Sequence, residues 1–416
     1  MKKYYFLLFL FSCWMTRTSA QVKLDSILSE IQKNNPSLKV FDANIKSMDA
    51  AVKGAYNWMP PEISSGFWMT PYNPTYWKGS NGNFGMGQYM ISAMQSFPNK
   101  IRQDAEAIYL RSLSSSERDH QKATINDLYA EAKMNYYQWL VLKKKGRILS
   151  DNEKMLNFMI KDAEIRYKNG FEKINAYYKA TAALGNLKNQ QLLVQNEIRL
   201  RQIQLNSLMN RNKLQPFDID TVYTIQTYNT ANFDTATIIS ARSDLKAIDK
   251  EIMINELSQN LEIAKLKPEF GVRYDHMFGF GGLPMQFTLM ATVKLPMVKW
   301  ASRGSRANIE SLQFKSEALK IQKQAMVNEA EGLAFRNHSL IELKKAQIKL
   351  FEENIIPALK KNYQTVLIAY GQNTEELFTL FDAWQTLNMT QLEYIDQLYE
   401  LLSKQVELEK TLEIIK

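Results

Sequence analysis

The sequence predicts a mainly α-helical chain with a β-barrel portion, built as two copies of one plan. Three observations support this prediction. Glycine and proline are unevenly spread, residue pairs recur at a nearly constant offset, and four segments alternate apolar with polar residues. Segments free of helix breakers permit long helices, whereas glycine-rich windows favour turns and short strands. The expected order is helix, strand pair and long helices, and then the same again.

The helix breakers separate the helical parts from the strand-forming parts. Windows 54–87 and 268–284 hold ten of the sixteen glycines, and no proline lies between Pro98 and Pro216. The distribution predicts helices at 24–57, 99–166, 176–212, 235–267, 299–369 and 373–413. In each half, two shorter helices together match the length of one long helix. We therefore expect stacked half-length helices beside a neighbour of about 100 Å.

Repeated residues indicate an internal duplication. The pair Pro61-Glu62 recurs as Pro268-Glu269 at an offset of 207, and Tyr167 recurs as Tyr370 at an offset of 203. A shared order at a near-constant offset is typical of a duplicated chain. The predicted organisation is a signal peptide at 1–20, a first repeat at 21–212 with a strand pair at 62–97, an equatorial linker at 213–243, and a second repeat at 244–416 with a strand pair at 269–295.

The four predicted strands are 62–70, 85–97, 269–277 and 285–295. In the last of these, one parity is apolar and the other mostly polar: Met285, Phe287, Leu289, Ala291, Val293 and Leu295 alternate with Gln286, Thr288, Met290, Thr292 and Lys294. Period-two alternation is typical of a half-buried strand, and an ordinary sheet with one wet face would also produce it. Four strands are too few to close a membrane barrel, whereas three chains supply twelve. A 12-stranded transmembrane β-barrel is therefore expected, with four strands from each chain.

The first 20 residues have the features of a secretory signal. Lys2 and Lys3 precede a short apolar stretch, and Thr18-Ser19-Ala20 forms a small-residue cleavage site. An alternative is that Cys13 lies in a lipoprotein box and is acylated. Cleavage after Ala20 removes the only cysteine of the chain, which excludes disulfides and thiol nucleophiles from the mature protein.

Composition argues against enzymes, resident metals and nucleic acid. The chain has only three histidines, which are scattered along it: His120, His276 and His338. Neither a metal centre nor a Ser-His-Asp triad is expected, and no cofactor is expected. The net charge is +9, but three of the positive charges lie in the signal segment, which carries no acidic residue, so the remainder carries +6. No basic cluster is interleaved with aromatic residues, so nucleic acid is not an expected partner.

Several short elements resemble the TolC-like outer-membrane efflux family. They are Asn35-Pro36-Ser37-Leu38 in the first helix, Tyr167-Lys168-Asn169-Gly170 followed by Ala180, and the Leu-Pro-Met-x-x-Trp stretch from Leu295 to Trp300. The resemblance implies a trimeric α-helical barrel plus a 12-stranded transmembrane β-barrel. It implies a homotrimer in the outer membrane of a Gram-negative bacterium, in contact with lipid and extending into the periplasm. It also implies passive conduction, with a periplasmic adaptor (membrane fusion) protein and an inner-membrane RND-type pump as partners.

The resemblance further assigns roles to two turns and to the helix after the second turn. The implied adaptor-docking residues are Tyr167, Gly170, Tyr370, Gly371 and Asn373. Asn373 stands where the family has glycine, and asparagine tolerates a left-handed backbone. The implied periplasmic gate is Asp382, with Glu375 and Glu376 as substitutes, because Thr379 stands at the family's first aspartate position. Three Asp382 carboxylates would favour cations, and an exposed helix carboxylate without a gating role is the alternative.

Methionine is concentrated in the strand windows. Nine of the nineteen methionines fall in 58–98 and 268–298. Those predicted to share the lumen-facing parity are Met86, Met90, Met94, Met277 and Met290. Thioethers suit Cu(I) and Ag(I), so we predict a heavy-metal cargo, as in the copper and cation branch of the family. The alternatives are methionine as a flexible packing residue, with drugs or other small molecules as cargo, or a type I protein secretion duct.

Two other classes of protein share part of this pattern. A soluble periplasmic coiled-coil adaptor would have similar helices but no strand pairs with an apolar face. A membrane-attached enzyme would need a catalytic cluster, and the one adjacent candidate, Asp275-His276, is an isolated pair. Both alternatives are therefore less consistent with the sequence than a duct.

Overall fold

The computed structural model describes residues 21–171 and 173–414. The predicted signal peptide and Cys13 lie outside the described residues. The helices are α1 (Leu24–Asn34), α2 (Pro36–Ala51), α3 (Lys100–Lys168), α4 (Ile174–Leu208), α5 (Thr235–Ala241), α6 (Ser243–Lys265), α7 (Arg303–Leu350), α8 (Ile356–Gly371) and α9 (Leu377–Leu412). The strands are β1 (Gln21–Val22), β2 (Glu62–Trp68), β3 (Gln88–Phe97), β4 (Asp218–Ile219), β5 (Glu269–Gly279) and β6 (Gln286–Lys294).

The predicted class, mainly α with a strand portion in a duplicated plan, is confirmed. Helices α1 and α2, the strand pair β2–β3 and helices α3 and α4 are followed by α5 and α6, β5–β6 and α7 to α9. The strand pairs begin at Glu62 and Glu269, the residues that the repeat aligns. Helix α3 has 69 residues, and its counterpart is made of segments of 48, 5 and 16 residues, which together have the same length.

The chain forms two compact units, and each unit takes segments from both repeats. Within the described residues, the first unit consists of 21–39, 123–242 and 327–414. It is helical and contains the short parallel pair of β1 with β4. The second unit consists of 40–122 and 243–326 and contains the four-stranded sheet with the helical stretches that flank it.

The four-stranded sheet is antiparallel with strand order β2-β3-β5-β6. Its two central strands, β3 and β5, come from different repeats and pair over ten residues, from Gln88 opposite Gly279 to Phe97 opposite Phe270. Strands β2 and β6 are the edges of the sheet, and within the described residues each pairs on one side only. Both edges therefore present unpaired backbone groups.

The predicted single helix at 24–57 is wrong, because the chain breaks at Asn35. Asn35 has an extended backbone, with φ −63° and ψ 126°. A residue that precedes proline is disfavoured in the helical region, and Pro36 then starts α2. The Asn35 side chain stabilises the break: its Oδ1 accepts from the Ser37 N–H at 2.9 Å, and its Nδ2 donates to the Leu208 carbonyl at 2.9 Å. After α2 the chain ends in a 3₁₀ turn, Val52–Tyr56.

The predicted helix at 235–267 is likewise divided, at Arg242, whose backbone is extended with φ −73° and ψ 123°. The first helix, α5, is capped by Asp234, which accepts from the Thr237 N–H at 3.3 Å. The second helix begins with Ser243 and Asp244. Serine and aspartate compete for backbone hydrogen bonds inside a helix and favour its first positions, which explains why a new helix begins here.

The predicted helix at 299–369 contains a π turn, Phe351–Ile355, directly before α8. Pro357 lies at the start of α8. Proline has no N–H, and its ring clashes with the carbonyl four residues earlier in a regular helix. The wider π turn accommodates the proline without ending the helix.

Three predicted strands are shorter than expected, and β6 lacks one residue at each end of the predicted range 285–295. Strand β2 ends at Trp68 because Met69 adopts a left-handed backbone with φ 47°. Strand β3 begins at Gln88, because Gly87 has φ +99° and a Cβ there would lie 2.8 Å from the Thr70 hydroxyl oxygen. Met86 therefore precedes the strand, and its prediction as a strand residue is wrong.

The core of the first unit is a cluster of buried side chains from α3, α4, α8 and α9, which we call the heptad cluster. Eleven of its fourteen buried members recur every seven residues, as expected for helices packed side by side in coiled-coil fashion. These eleven are Leu149, Leu156 and Ala163 in α3, Leu187 and Val194 in α4, Tyr363 and Tyr370 in α8, and Leu377, Leu380, Trp384 and Leu387 in α9; the other three members are Met159, Phe381 and Ala383. The cluster holds the two turns at the ends of α3 and α8 close to one hydrophobic core.

Candidate functional site

The register of the sheet separates two faces. The polar face carries Glu62, Ser64, Gly66 and Trp68 from β2, Gln88, Met90, Ser92, Met94 and Ser96 from β3, Glu269, Gly271, Arg273, Asp275, Met277 and Gly279 from β5, and Gln286, Thr288, Met290, Thr292 and Lys294 from β6. The opposite face, which we call the apolar face, carries Ile63, Ser65, Phe67, Tyr89, Ile91, Ala93, Gln95, Phe97, Phe270, Val272, Tyr274, His276, Phe278, Phe287, Leu289, Ala291 and Val293, and three of these residues, Ser65, Gln95 and His276, are polar. The alternation predicted for 285–295 is thus observed, and the register places the alternating residues of the other three strands on the same two faces.

An ion pair organises the centre of the polar face. Arg273 Nε donates to Asp275 Oδ1 at 2.8 Å and to Ser92 Oγ at 3.0 Å. Asp275 and Ser92 are each 3% exposed, whereas a third of the Arg273 side chain is exposed. The guanidinium is therefore fixed at its Nε and presents its outer nitrogens on the polar face.

The sheet brings together only some of the predicted methionines. Met90 lies directly opposite Met277 on the neighbouring strand. Met94 and Met290 lie on either side of Arg273, so a cation stands between their thioethers. Met86 lies before the strand, so of the five predicted methionines only Met90 and Met277 lie directly next to each other. Among the described residues, no group of three or more His, Cys, Asp or Glu is arranged to hold a metal ion.

Charged groups also tie the sheet to α3 within the second unit. Arg102 on α3 lies 2.7 Å from Glu269 Oε1, and Lys294 lies 3.4 Å from Glu269 Oε2. Asn99 Nδ2 donates to the Pro268 carbonyl at 2.9 Å. These contacts join the start of β5 to the start of α3, so the sheet and the helix that follows it are held at a defined junction.

The apolar face is exposed over a continuous area. Ile63, Phe67, Phe287 and Leu289 are each more than 60% exposed. Soluble monomers rarely expose an apolar patch of this kind, because its hydration is unfavourable. The face therefore requires an apolar environment that the described chain does not itself supply.

Two loops at one end of the sheet pack on each other through glycines. Gly85 N donates to the Gly281 carbonyl at 2.9 Å, and a Cβ on Gly85 would lie 2.2 Å from the Trp77 carbonyl oxygen. Trp77 stacks on Phe280 with ring centroids 5.3 Å apart. Only glycine permits so close an approach, so these loops form one fixed cap at the end of the strands.

The two predicted turns have the same backbone geometry. Gly170 has φ +75°, and Phe171 N donates to the carbonyl five residues earlier at 2.9 Å. Asn373 has φ 61°, and Thr374 N donates to the carbonyl five residues earlier at 3.0 Å. Both are the left-handed ends of long helices. The expectation that asparagine would replace glycine in this conformation is confirmed.

Arg166 connects the two turns, a residue that the sequence reasoning did not identify. Its guanidinium lies 4.1 Å from the centre of the Tyr370 ring, donates to the Tyr370 carbonyl at 2.9 Å, and hydrogen-bonds the Asn373 side chain. Asp162, one helical turn earlier, accepts from Arg166 Nε at 2.8 Å. The spacing of Asp162 and Arg166 predicts an ion pair along one helix face, but it does not predict the contact of Arg166 with Tyr370.

The predicted gate residues are exposed, and two of them are not in a helix. Helix α9 begins at Leu377 rather than at 373, so Glu375 and Glu376 lie in the turn before it. Asp382 lies on α9 and, like Thr379 three residues earlier, points away from the heptad cluster. Tyr167 is 46% exposed, and Gly371 is also exposed. Asp382 and Thr379 therefore share one accessible stripe of α9.

No helix within 21–171 or 173–414 combines the length and the apolar character needed to cross a bilayer.

Residues 27–211 match the model of the outer membrane efflux protein family. The resemblance read from the sequence motifs is thereby confirmed. No curated protein matches the chain.

Solved outer-membrane channels have a similar fold. The outer membrane protein VceC from Vibrio cholerae has 14% identity and a TM-score of 0.73, covering 94% of this chain and 95% of its own. The Campylobacter jejuni CmeC outer membrane channel has 12% identity and a TM-score of 0.74, covering 94% and 85%. CusC, described for its transmembrane channel formation, has 13% identity and a TM-score of 0.72, covering 94% and 92%. The chain thus has the fold of an outer-membrane efflux channel.

Proposed function

We propose that this chain is one protomer of a trimeric outer-membrane duct in an efflux pump, and that it conducts cargo passively. The observation that carries the proposal is the two-faced sheet, with an exposed apolar face, a charged face and two unpaired edges. Unpaired strand edges are not stable in a bilayer. Pairing of β6 with β2 of the next copy removes every edge. Three copies then give twelve strands, an even number as in closed membrane β-barrels.

In this assembly the polar face lines a watery lumen and the apolar face meets lipid. Arg273, Glu62 and Lys294 then point into the lumen, whereas Phe287 and Leu289 point outwards. Alternation of this kind is what a membrane β-barrel requires of its strands.

The two turns are proposed to dock a periplasmic adaptor, which delivers cargo from an inner-membrane RND-type pump. Their shared geometry supports this, because Gly170 and Asn373 present two equivalent helix ends. Tyr167 is exposed beside the first turn, and Gly371 beside the second. An adaptor that binds one turn could therefore bind the other turn of the same chain through the same backbone geometry.

Asp382 is proposed to form part of a periplasmic gate. It is exposed and shares a stripe of α9 with Thr379. Three copies would place three carboxylates around one axis, which favours passage of cations. Glu375 and Glu376 lie one to two turns away in sequence, in the loop before α9, and would add to the same negative field.

For the cargo we propose Cu(I) or Ag(I), supported by the adjacent thioethers of Met90 and Met277 on the polar face. The position of Arg273 between Met94 and Met290 argues against a metal cargo, because a fixed positive charge repels a metal ion. That opposing charge favours the alternative, in which drugs or other small molecules pass and the methionines serve as packing.

A planar bilayer measurement tests the duct and its gate. The purified protein should insert as trimers and conduct ions, and its reversal potential in a salt gradient should indicate cation preference. Asp382→Asn should reduce that preference, whereas Asp396→Asn, an exposed change elsewhere on α9, should leave it unchanged. Failure to conduct would refute the duct, and an unaltered reversal potential in Asp382→Asn would refute only the gate.

A cellular measurement tests the cargo. Deletion of the gene should raise cell-associated copper after a sublethal copper challenge, while retention of a lipophilic dye stays unchanged. The double variant Met90→Leu/Met277→Leu should reproduce the copper increase, and Met389→Leu, an exposed methionine on α9, should not. Raised dye with unchanged copper would assign the duct to drugs or other small molecules instead.

A further inference from the structure

The chain leaves the sheet through a positively charged segment. Strand β6 ends at Lys294, and α7 begins at Arg303. Residues 294–306, which we call the basic turn, include no aspartate or glutamate. They carry four cations, Lys294, Lys299, Arg303 and Arg306. The basic turn belongs to the second compact unit, as does the sheet.

The backbone of the basic turn is fixed around Ser302. The Val298 carbonyl accepts from the Ala301 N–H at 3.0 Å and from the Ser302 N–H at 2.8 Å. Ser302 is fully buried, and Arg306 Nε donates to its hydroxyl at 3.1 Å. Trp300, two residues earlier, is 82% exposed. The turn therefore holds a large aromatic side chain out from the protein surface.

Two of the four cations, Lys299 and Arg303, are exposed and have no side-chain partner among the described residues. The other two, Lys294 and Arg306, have the partners given above. Arginine binds a phosphate group through two parallel N–H groups, and lysine binds it as a point charge. The two unpartnered side chains are therefore available to a phosphate from outside the protein.

The basic turn continues from the apolar face of the sheet. Val293 is the last residue of β6 on that face, and Leu295 and Met297 follow it at the same alternation. All three side chains are exposed. The apolar surface thus leads directly into Lys299 and Trp300. Tryptophan beside a basic residue at the end of an apolar segment is typical of the level at which a membrane protein meets the lipid headgroups.

The two ends of the sheet differ in charge. The loops at one end, 69–87 and 280–285, contain a single charged residue, Lys78. At the other end, Lys100 and Lys267 are exposed near the ends of β3 and β5, in addition to the cations of the basic turn. The acidic residues at the start of β2 and of β5 lie on the polar face. An excess of positive charge at one boundary of an apolar surface favours an anionic lipid surface.

We propose that the basic turn binds anionic phospholipid headgroups, such as that of phosphatidylglycerol. The headgroup phosphate pairs with Lys299 and Arg303, while the Trp300 ring lies at the level of the headgroups. The acyl chains contact Leu295 and Met297. This binding rests on the bilayer position proposed above for the sheet, and it specifies which lipids are selected at one boundary of the sheet. A second copy of the chain or a partner protein on the same surface would instead shield Trp300 from lipid.

Fluorescence quenching by brominated lipids tests the proposal. The purified mature protein is reconstituted in phosphatidylcholine vesicles in which an increasing fraction of the lipid is brominated phosphatidylglycerol or brominated phosphatidylcholine. The signal of Trp300 is the difference between the unmodified protein and Trp300→Phe. We expect brominated phosphatidylglycerol to reach half-maximal quenching of Trp300 at an about fivefold lower mole fraction, because cations near an anionic lipid favour its binding. The preference should decrease at high salt, which screens exposed charges.

Two matched double variants assign the preference to the basic turn. Lys299→Gln/Arg303→Gln should abolish it. Lys315→Gln/Lys320→Gln removes two exposed cations further along α7 and should retain it. Equal quenching of Trp300 by the two lipids, or a preference that survives in Lys299→Gln/Arg303→Gln, would overturn the proposal.

The other tryptophans separate failure of this proposal from failure of the duct. Trp58 is exposed and packs edge-on against Phe97 of the apolar face, with ring centroids 5.4 Å apart. Quenching that remains in Trp300→Phe therefore reports whether the sheet lies in lipid. If that quenching were present but Trp300 were not quenched, protein would cover the basic turn, and the lipid site would be wrong while the duct stood. If no tryptophan were quenched, the bilayer position itself would be wrong, and both proposals would fail.

Discussion

The heptad cluster and the apolar face of the sheet are both made mainly of apolar side chains, which are buried in the first region and exposed in the second. In the cluster, Leu380 and Leu156 are fully buried by neighbouring helices of the same chain. On the sheet, Leu289 and Phe287 are 66% and 69% exposed. Burial of apolar area stabilises by roughly 25 cal/mol per Å², so the cluster contributes to the stability of one chain. The sheet gains that contribution only from surroundings beyond the described chain.

The difference separates what one chain accomplishes alone from what requires an assembly or a membrane. A single chain can form the helical unit, because each buried side chain finds its partners within it. The sheet has its backbone register but neither a cover for its apolar face nor a partner for its edges. Changes in the two regions should therefore appear in different measurements.

The largest expected effect is in the heptad cluster. Leu380→Ala removes a fully buried side chain and should lower the free energy of unfolding by about 2–5 kcal/mol, since a cavity remains. Thermal unfolding followed by circular dichroism at the helical band would detect it as a lower midpoint. Thr379→Ala, the exposed neighbour, should change stability by less than about 0.5 kcal/mol. Similar shifts for both variants would mean that α9 does not pack as described.

A charge on the apolar face should act on membrane assembly instead. Leu289→Arg should cost about 2–4 kcal/mol at the middle of a bilayer, and thus reduce the folded protein recovered in outer-membrane fractions. The adjacent Thr288→Arg places the same charge on the polar face and should be tolerated. If Thr288→Arg were the more damaging change, the assignment of the two faces would be reversed.

The smallest expected effects are at the two turns. Gly170→Ala should destabilise by about 1–2 kcal/mol through its left-handed backbone alone, because a Cβ there meets no atom within 4 Å. Gly170→Asn should cost less, as Asn373 in the second turn indicates. Gly371→Ala, a helical glycine with equally open surroundings, should stabilise by up to about 1 kcal/mol. Hydrogen exchange of the Phe171 and Thr374 amides would report each change at its own turn.

The duplicated plan and the faces of the strands could be predicted from the sequence because both depend on local periodicity. Alternation identified the polar parity, and the repeat aligned Gly170 with Asn373. The breaks at Asn35 and Arg242 were missed, because a short interruption leaves the apolar pattern intact on both sides.

The parts of the site that the sequence did not reveal depend on pairing between distant segments. Arg273 stands between Met94 and Met290 only because β5 lies between β3 and β6. Arg166 meets Tyr370 across 204 residues of chain. Neither relation has a spacing that one strand or one helix would display, so a methionine count alone overestimated how many thioethers would be neighbours.

The π turn before Pro357 keeps the buried side chains on one face of the longest helical segment in the second repeat. Before the π turn, buried residues recur at intervals of seven: Val327, Ala334, Ile341 and Ile348. After it, Tyr363 and Tyr370 are again seven apart, but the interval from Ile348 to Tyr363 is fifteen. One additional residue in a regular α-helix would rotate all later side chains by about 100°. The π turn absorbs that residue, so the tyrosines stay in phase with the aliphatic positions before them. A single-residue deletion within Phe351–Ile355 would shorten that interval to fourteen, which is two intervals of seven, so a regular helix would then keep Tyr370 in phase without a π turn.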